Sequence, residues 1–174
     1  MKKIDFYLRR GQIVKDKTIV VLARKYLEKA KNNLITMRIL SEIQIDKKSR
    51  ELLKIPNDYD SSEWIVICGY YAMYASALSL LAKIGYKSKN HAATLLILEE
   101  YFVKKNHLDK KDLLLIKNAF FQKEEIEKLS DARHKREIAQ YSITKETTKD
   151  IAEKIKEEAY IFVNKCEEIL EKLG

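Results

Sequence analysis

Nineteen consecutive residues, Trp64 to Ala82 (WIVICGYYAMYASALSLLA), carry no formal charge in a chain in which 34% of residues are charged. Such a run has to leave water on almost every side, so it belongs either in a bilayer or at the centre of a helical bundle. Its length suffices to span a bilayer. Its composition argues otherwise, because Gly69, Tyr70, Tyr71, Tyr74, Ser76 and Ser79 interrupt it. The segments around it also show one apolar face each, and every such face needs a partner. A central bundle helix satisfies both, and no membrane partner is expected.

Those neighbouring segments read as helices. Ile19, Leu22, Tyr26, Leu27, Ala30, Leu34 and Met37 recur at three- and four-residue steps, predicting a helix from Asp16 to about Ile43. Residues 46–60 lose that period, contain the only proline and read as a loop. Asp60-Ser61-Ser62-Glu63 resembles a capping box opening the uncharged helix, and Gly85 supplies a left-handed end. A third helix is expected from His91 to about Lys104, with Leu95, Leu98, Tyr101 and Phe102 inward. Asp109 caps a fourth from Lys110, with a break near Gln122. Tyr141 to Thr144 reads as a turn. The last helix has the cleanest period, through Ile151, Ile155, Ala159, Phe162, Cys166, Ile169 and Leu173. Short connections make antiparallel neighbours, so the expected fold is an all-α, up-and-down bundle of four to five helices. Residues 1–15 form an amino-terminal lead and residues 16–174 a single helical domain.

Composition agrees with this. One proline and four glycines in 174 residues leave few means of making hairpins. No charged segment followed by an apolar run marks a secretory signal, so a cytoplasmic location is expected. Cys68 and Cys166 each sit in apolar helical patterns and read as free thiols. The net charge of +8 is uneven: residues 1–60 hold 15 Lys+Arg against 8 Asp+Glu, and residues 111–174 hold 13 against 14. A basic amino-terminal third suits nucleic acid or an acidic partner. The segment lacks the interleaved glycines and aromatics of a dedicated RNA-binding surface, which favours a solvated lysine-rich face of the kind common in heat-adapted proteins.

The search for chemistry is mostly negative. His91, His107 and His134 have no second ligand at zinc-like spacing, so no metal is expected. The adjacent glutamate pairs point to different parts of a helix surface, and there is no glycine loop for a phosphate. No cofactor is implied. Two stretches remain. GYYAMYASALSLLAKIG (69–85) places three tyrosines and small residues on one helix, which fits a tightly packed core better than a ligand pocket. In DARHKREIAQY (131–141), Arg133 and Arg136 are helix neighbours able to grip a phosphate, while His134 is turned about a quarter of the way round. A ribonuclease also needs a placed general base and acid. The alternative is a surface helix whose arginines pair with Asp131, Glu137 or Glu127.

The order of features resembles the HEPN family, small all-helical proteins of bacteria and archaea, over roughly residues 17–170. The likeness rests on ARKYLEKAKNNL, then YYAMYASALSLLAKIGYKSKNHAA, then ARHKREIAQY ahead of the final amphipathic helix. It implies a homodimeric bundle, often encoded beside a minimal nucleotidyltransferase in a toxin–antitoxin pair. Catalytic members of the family use an arginine followed four to six residues later by a histidine, with a tyrosine two beyond. With Tyr141 in the tyrosine position, the histidine position falls on Ala139 and the arginine on or near Arg133, so that motif is incomplete here. A second subgroup reads arginine, two residues, alanine, aspartate, tyrosine. Arg136 to Tyr141 matches it except for Gln140.

The resemblance therefore implies a non-catalytic or weakly catalytic protein that binds a nucleotidyltransferase partner, a nucleotide or RNA. Tyr71, Tyr74, His91, Arg133, His134, Arg136 and Tyr141 would supply its polar site. The rivals are a metal-independent endoribonuclease toxin using a displaced histidine, and an interaction module docking through its basic face.

Overall fold

In the computed structural model, the backbone is described for residues 2–133 and 141–173, and side chains for 3–127 and 148–173. The fold is an all-α bundle. Helix α1 spans Lys2–Arg9, α2 Ala23–Ile45, α3 Lys47–Leu52, α4 Ser62–Lys83, α5 His91–Leu98, α6 Lys110–Arg133 and α7 Tyr141–Lys172. Strands β1 (Ile13–Lys15) and β2 (Tyr86–Ser88) pair antiparallel, with Ile13 opposite Ser88 and Lys15 opposite Tyr86.

Helix α4 is the axle, packing against α2, α6 and α7. Of its most apolar eighteen-residue window, 78% is buried inside the protein, which accounts for its composition without lipid. Direct ties fix the directions of the helices around it. The Ser61 hydroxyl donates to the Leu40 carbonyl at 2.9 Å, joining the end of α2 to the start of α4. Lys31 pairs with Glu167, while the Lys156 ammonium donates to Ser41 Oγ at 3.0 Å, so α2 and α7 also run antiparallel. Lys165 reaches Asp112 at 2.5 Å from late α7 to early α6. The four long helices therefore alternate up and down.

Gly69 shows why the axle is so bare of side chains. A Cβ built there would stand 2.6 Å from Ile155 Cγ2 and 3.3 Å from Met37 Sδ. Helices α2 and α7 close on α4 at this level, and only a hydrogen fits between them. Around it Met37, Ile65, Met73, Leu80, Leu81, Phe162 and Val163 are fully buried. Each such side chain contributes about 1.5–3 kcal/mol relative to exposure.

The elements differ from their sequence pattern in ways that have local causes. The first long helix opens with a 3-10 turn, Lys17–Leu22, because Asp16 Oδ1 accepts from the Thr18 amide at 2.9 Å and holds that entry. The lead contains α1 and β1, with Ile4 and Ile13 buried; three-residue strands carry too little alternation to be seen in sequence. The stretch read as a loop holds α3, capped by Asp46. The expected capping box is replaced: Asp60 Oδ1 accepts from the Ser62 amide at 2.9 Å, and Ser61 is drawn off to α2. Helix α6 continues through Gln122 without a break, and α7 begins at Tyr141, where a turn was expected. Gly85 does end α4 with φ +75°.

Replacing Gly69 by valine should lower the unfolding free energy by about 2 kcal/mol or more, the cost of overpacking a filled core. Urea denaturation followed by circular dichroism measures it.

Candidate functional site

One aromatic cluster joins three of the expected site residues. On α4, Tyr70, Tyr71 and Tyr74 lie within about one turn, and the Tyr70 and Tyr74 rings stack at 5.7 Å. Asn90 caps α5 by accepting from the Ala93 amide at 2.8 Å, which fixes His91 as the first residue of that helix. The imidazole then lies flat on Phe120 of α6, with centroids 4.2 Å apart and planes within 13°. Tyr74 and Tyr70 stand 6.0 and 6.2 Å from the same imidazole. The Thr94 hydroxyl donates to the Tyr74 oxygen at 3.3 Å. Lys123, one turn along α6, places its ammonium 5.8 Å from the Tyr70 ring and 5.9 Å from that of Tyr71, while pairing with Glu127 at 2.6 Å.

The members differ in exposure, and so in what they can do. Tyr70 is 5% exposed, and burial raises its phenol well above the ordinary range. Tyr71 is 42% exposed and presents the open side of the cluster. Both ring nitrogens of His91 are buried without a hydrogen-bond partner. Burial pushes its pKa down from 6.5 to about 4, so near neutral pH the imidazole is uncharged. A neutral imidazole with both nitrogens buried is a poor proton donor near neutral pH.

Among the expected site residues, Tyr71, Tyr74 and His91 are brought together. Arg133 is not beside them. It closes α6 thirteen residues after Phe120, about 20 Å along the helix axis. His134 and Arg136 lie outside the described residues, and the side chains of Arg133 and Tyr141 do as well. Sequence reasoning missed Phe120 and Lys123, which only the α4–α6 packing puts next to the tyrosines. Their spacing on one helix face was readable, but the helix opposite was not.

The two thiols differ. Cys166 is fully buried, and burial pushes its pKa up to about 12, whereas Cys68 is half-buried. Among the described residues no group of three His, Cys, Asp or Glu side chains is arranged to hold a metal ion.

No family model matches the chain. Over 133 residues it is 29% identical to a UPF0332 protein of Archaeoglobus fulgidus, an alignment covering 75% of this chain and 95% of that one. This is a small helical protein with a distant UPF0332 relative. The likeness extends over nearly the whole of the archaeal protein and three quarters of this chain.

The His91 environment gives a sign-determined pH effect. The folded pKa lies below the unfolded 6.5, so its contribution is complete above pH 6.5 and is lost as pH falls toward 4. Allowing for partial solvent access, stability should drop by about 1–2 kcal/mol more between pH 7 and pH 5 than in His91→Phe, which keeps the stack and cannot titrate. Parallel urea titrations of the two proteins check this.

Proposed function

We propose that this chain is a HEPN-like binding protein, non-catalytic or weakly catalytic, that recognises a nucleotide or an RNA end on the Tyr71 side of its aromatic cluster. It acts as a homodimer beside a minimal nucleotidyltransferase in a toxin–antitoxin or related defence system. The observation that carries the binding reading is His91. A ribonuclease histidine must reach its substrate and exchange a proton near neutral pH. Here the imidazole is stacked on Phe120, its nitrogens are buried, its pKa is about 4, and α6 sets Arg133 about 20 Å away within the same chain.

What the cluster offers instead is a half-open tyrosine face with an ammonium beside it. A nucleobase stacks on such a face whatever its identity. The dimer reading draws support from large apolar side chains left in water on α4 and α6 beside the Tyr71 face: Trp64, Leu114 and Phe121 are all more than 50% exposed. A second copy of the chain is a natural cover for them. The family resemblance supplies the nucleotidyltransferase partner.

Two measurements test this reading. Adenosine monophosphate should bind the full chain, and Tyr71→Ala should weaken it by about tenfold, the value of one base–aromatic stack. Structured and single-stranded RNA incubated with the protein in EDTA should remain intact. Cleavage that disappears in Arg133→Ala or His134→Ala would instead establish the endoribonuclease.

A further inference from the structure

The chain's charge excess is spread over its sequence but gathered at one place in the fold. Residues 1–17 hold six Lys+Arg and two Asp+Glu; residues 83–105 hold five and two. Together they carry 11 − 4 = +7 of the net +8, although 65 residues separate them. The β1–β2 ribbon pairs these two segments. The Asp16 amide donates to the Gly85 carbonyl at 2.8 Å, the Lys89 amide donates to the Gln12 carbonyl at 2.9 Å, and α1 packs on α5. The two segments joined by the ribbon are therefore strongly positive.

The cations at this end have an order. Ile13 and Tyr86 face inward from the ribbon and are buried, so Lys87 and Lys89 share its outer face, about 7 Å apart along the strand direction. That is the scale on which successive phosphates recur along a single strand. Lys89 adjoins Gln12, which leads back to Arg10 and Arg9 at the end of α1. The Arg10 guanidinium lies 4.3 Å over the ring of Phe6, and that ring is 49% exposed. Behind the ribbon, the Tyr86 and Tyr101 hydroxyls meet at 2.6 Å, with Lys15 over the first ring and Lys105 over the second, each at 5.9 Å. Among the described residues, Arg9, Arg10, Lys15, Lys87 and Lys89 form no ion pair. The acids nearby are Asp5, Asp16, Glu99 and Glu100; Asp16 lies within electrostatic reach of Lys87, and Glu100 is taken by Lys104. Aromatic side chains are thus interleaved with cations here, within residues 2–10 and, through the ribbon, between Lys15, Tyr86, Tyr101 and Lys105.

We infer that this end of the bundle, from Lys87 and Lys89 through Arg9 and Arg10 to Phe6, is a binding track for single-stranded RNA. The lysines follow the phosphates, and Phe6 with its stacked arginine receives a base. An anionic lipid surface would ask for a continuous apolar wedge, and the track itself exposes two separate apolar side chains, Phe6 and Val14, with Val20 and Val21 beyond it on the Lys17–Leu22 turn. An acidic protein would engage the cations alone, whereas a nucleic-acid strand also gains base stacking on the exposed Phe6 ring. The track uses none of the aromatic cluster's side chains, although Lys89 stands two residues before His91 and Ser88 meets Thr94 at 2.9 Å.

The test uses the full chain and a fluorescein-labelled twelve-residue oligouridylate. With about four phosphates neutralised, affinity should fall by about 50-fold between 50 and 200 mM salt. Lys87→Gln/Lys89→Gln should reduce that dependence to about sevenfold. Phe6→Ser should weaken binding by about fivefold at every salt concentration. These side chains are on the surface, and unchanged thermal melting confirms that the variants fold. Lys47→Gln/Lys48→Gln on α3 removes the same charge elsewhere and should leave binding within twofold. Equal loss in that control would overturn the track in favour of diffuse charge. So would equal displacement by polyglutamate, or vesicles with 30% phosphatidylserine binding through the same residues. Loss in Tyr71→Ala with none in the Lys87/Lys89 variant would place the RNA on the aromatic cluster instead.

Discussion

The meeting of α4 with α2 and α7 at Gly69 is the constraint on which the rest of the molecule depends. Close approach there is possible only because one residue has no side chain, and it lets Met37 and Ile155 fill the space beside the axle. An uncharged helix so enclosed leaves only one long edge for α6. That edge carries Tyr70 and Tyr74, which is why the aromatic cluster forms where α6 crosses with Phe120. Core packing and site geometry are one arrangement seen at two depths.

Polar ties then set the ends. The buried carboxylate of Asp112 accepts from the Asp109 amide at 2.7 Å and from Lys165 at 2.5 Å, so the start of α6 is capped and anchored to α7 together. Removing one partner of such a tie leaves a buried charge or donor unmatched, which is costlier than never having had the pair. Where α4 ends, Gly85 turns the chain so that β2 can meet β1. The small ribbon adds little core. Its consequence is electrostatic, since it brings the amino-terminal lead against the segment that follows α4.

Much of the fold was legible from pattern. The uncharged run, the stripes on α2 and α7, and the glycine ending α4 each follow from burial periodicity or backbone freedom, and both are local properties. The differences lie where side chains had a choice of partner. Ser61 had a local amide available and took the Leu40 carbonyl of α2. The residues near Gln122 offered no strong stop signal, and α6 ran on. The histidines were the least legible group, because His91 reads the same whether it is exposed beside a substrate or stacked flat on Phe120.

The sequence by itself determined that a bare apolar helix must be wrapped by amphipathic ones, because nineteen uncharged residues cannot remain in water. It also determined where that helix ends and which faces of its neighbours turn inward. Only the tertiary structure decided which aromatic rings meet, how far α6 carries Arg133 from His91, and that two distant basic segments share one end. Those outcomes depend on distances between elements, and a periodic pattern within an element carries no information about the element beside it.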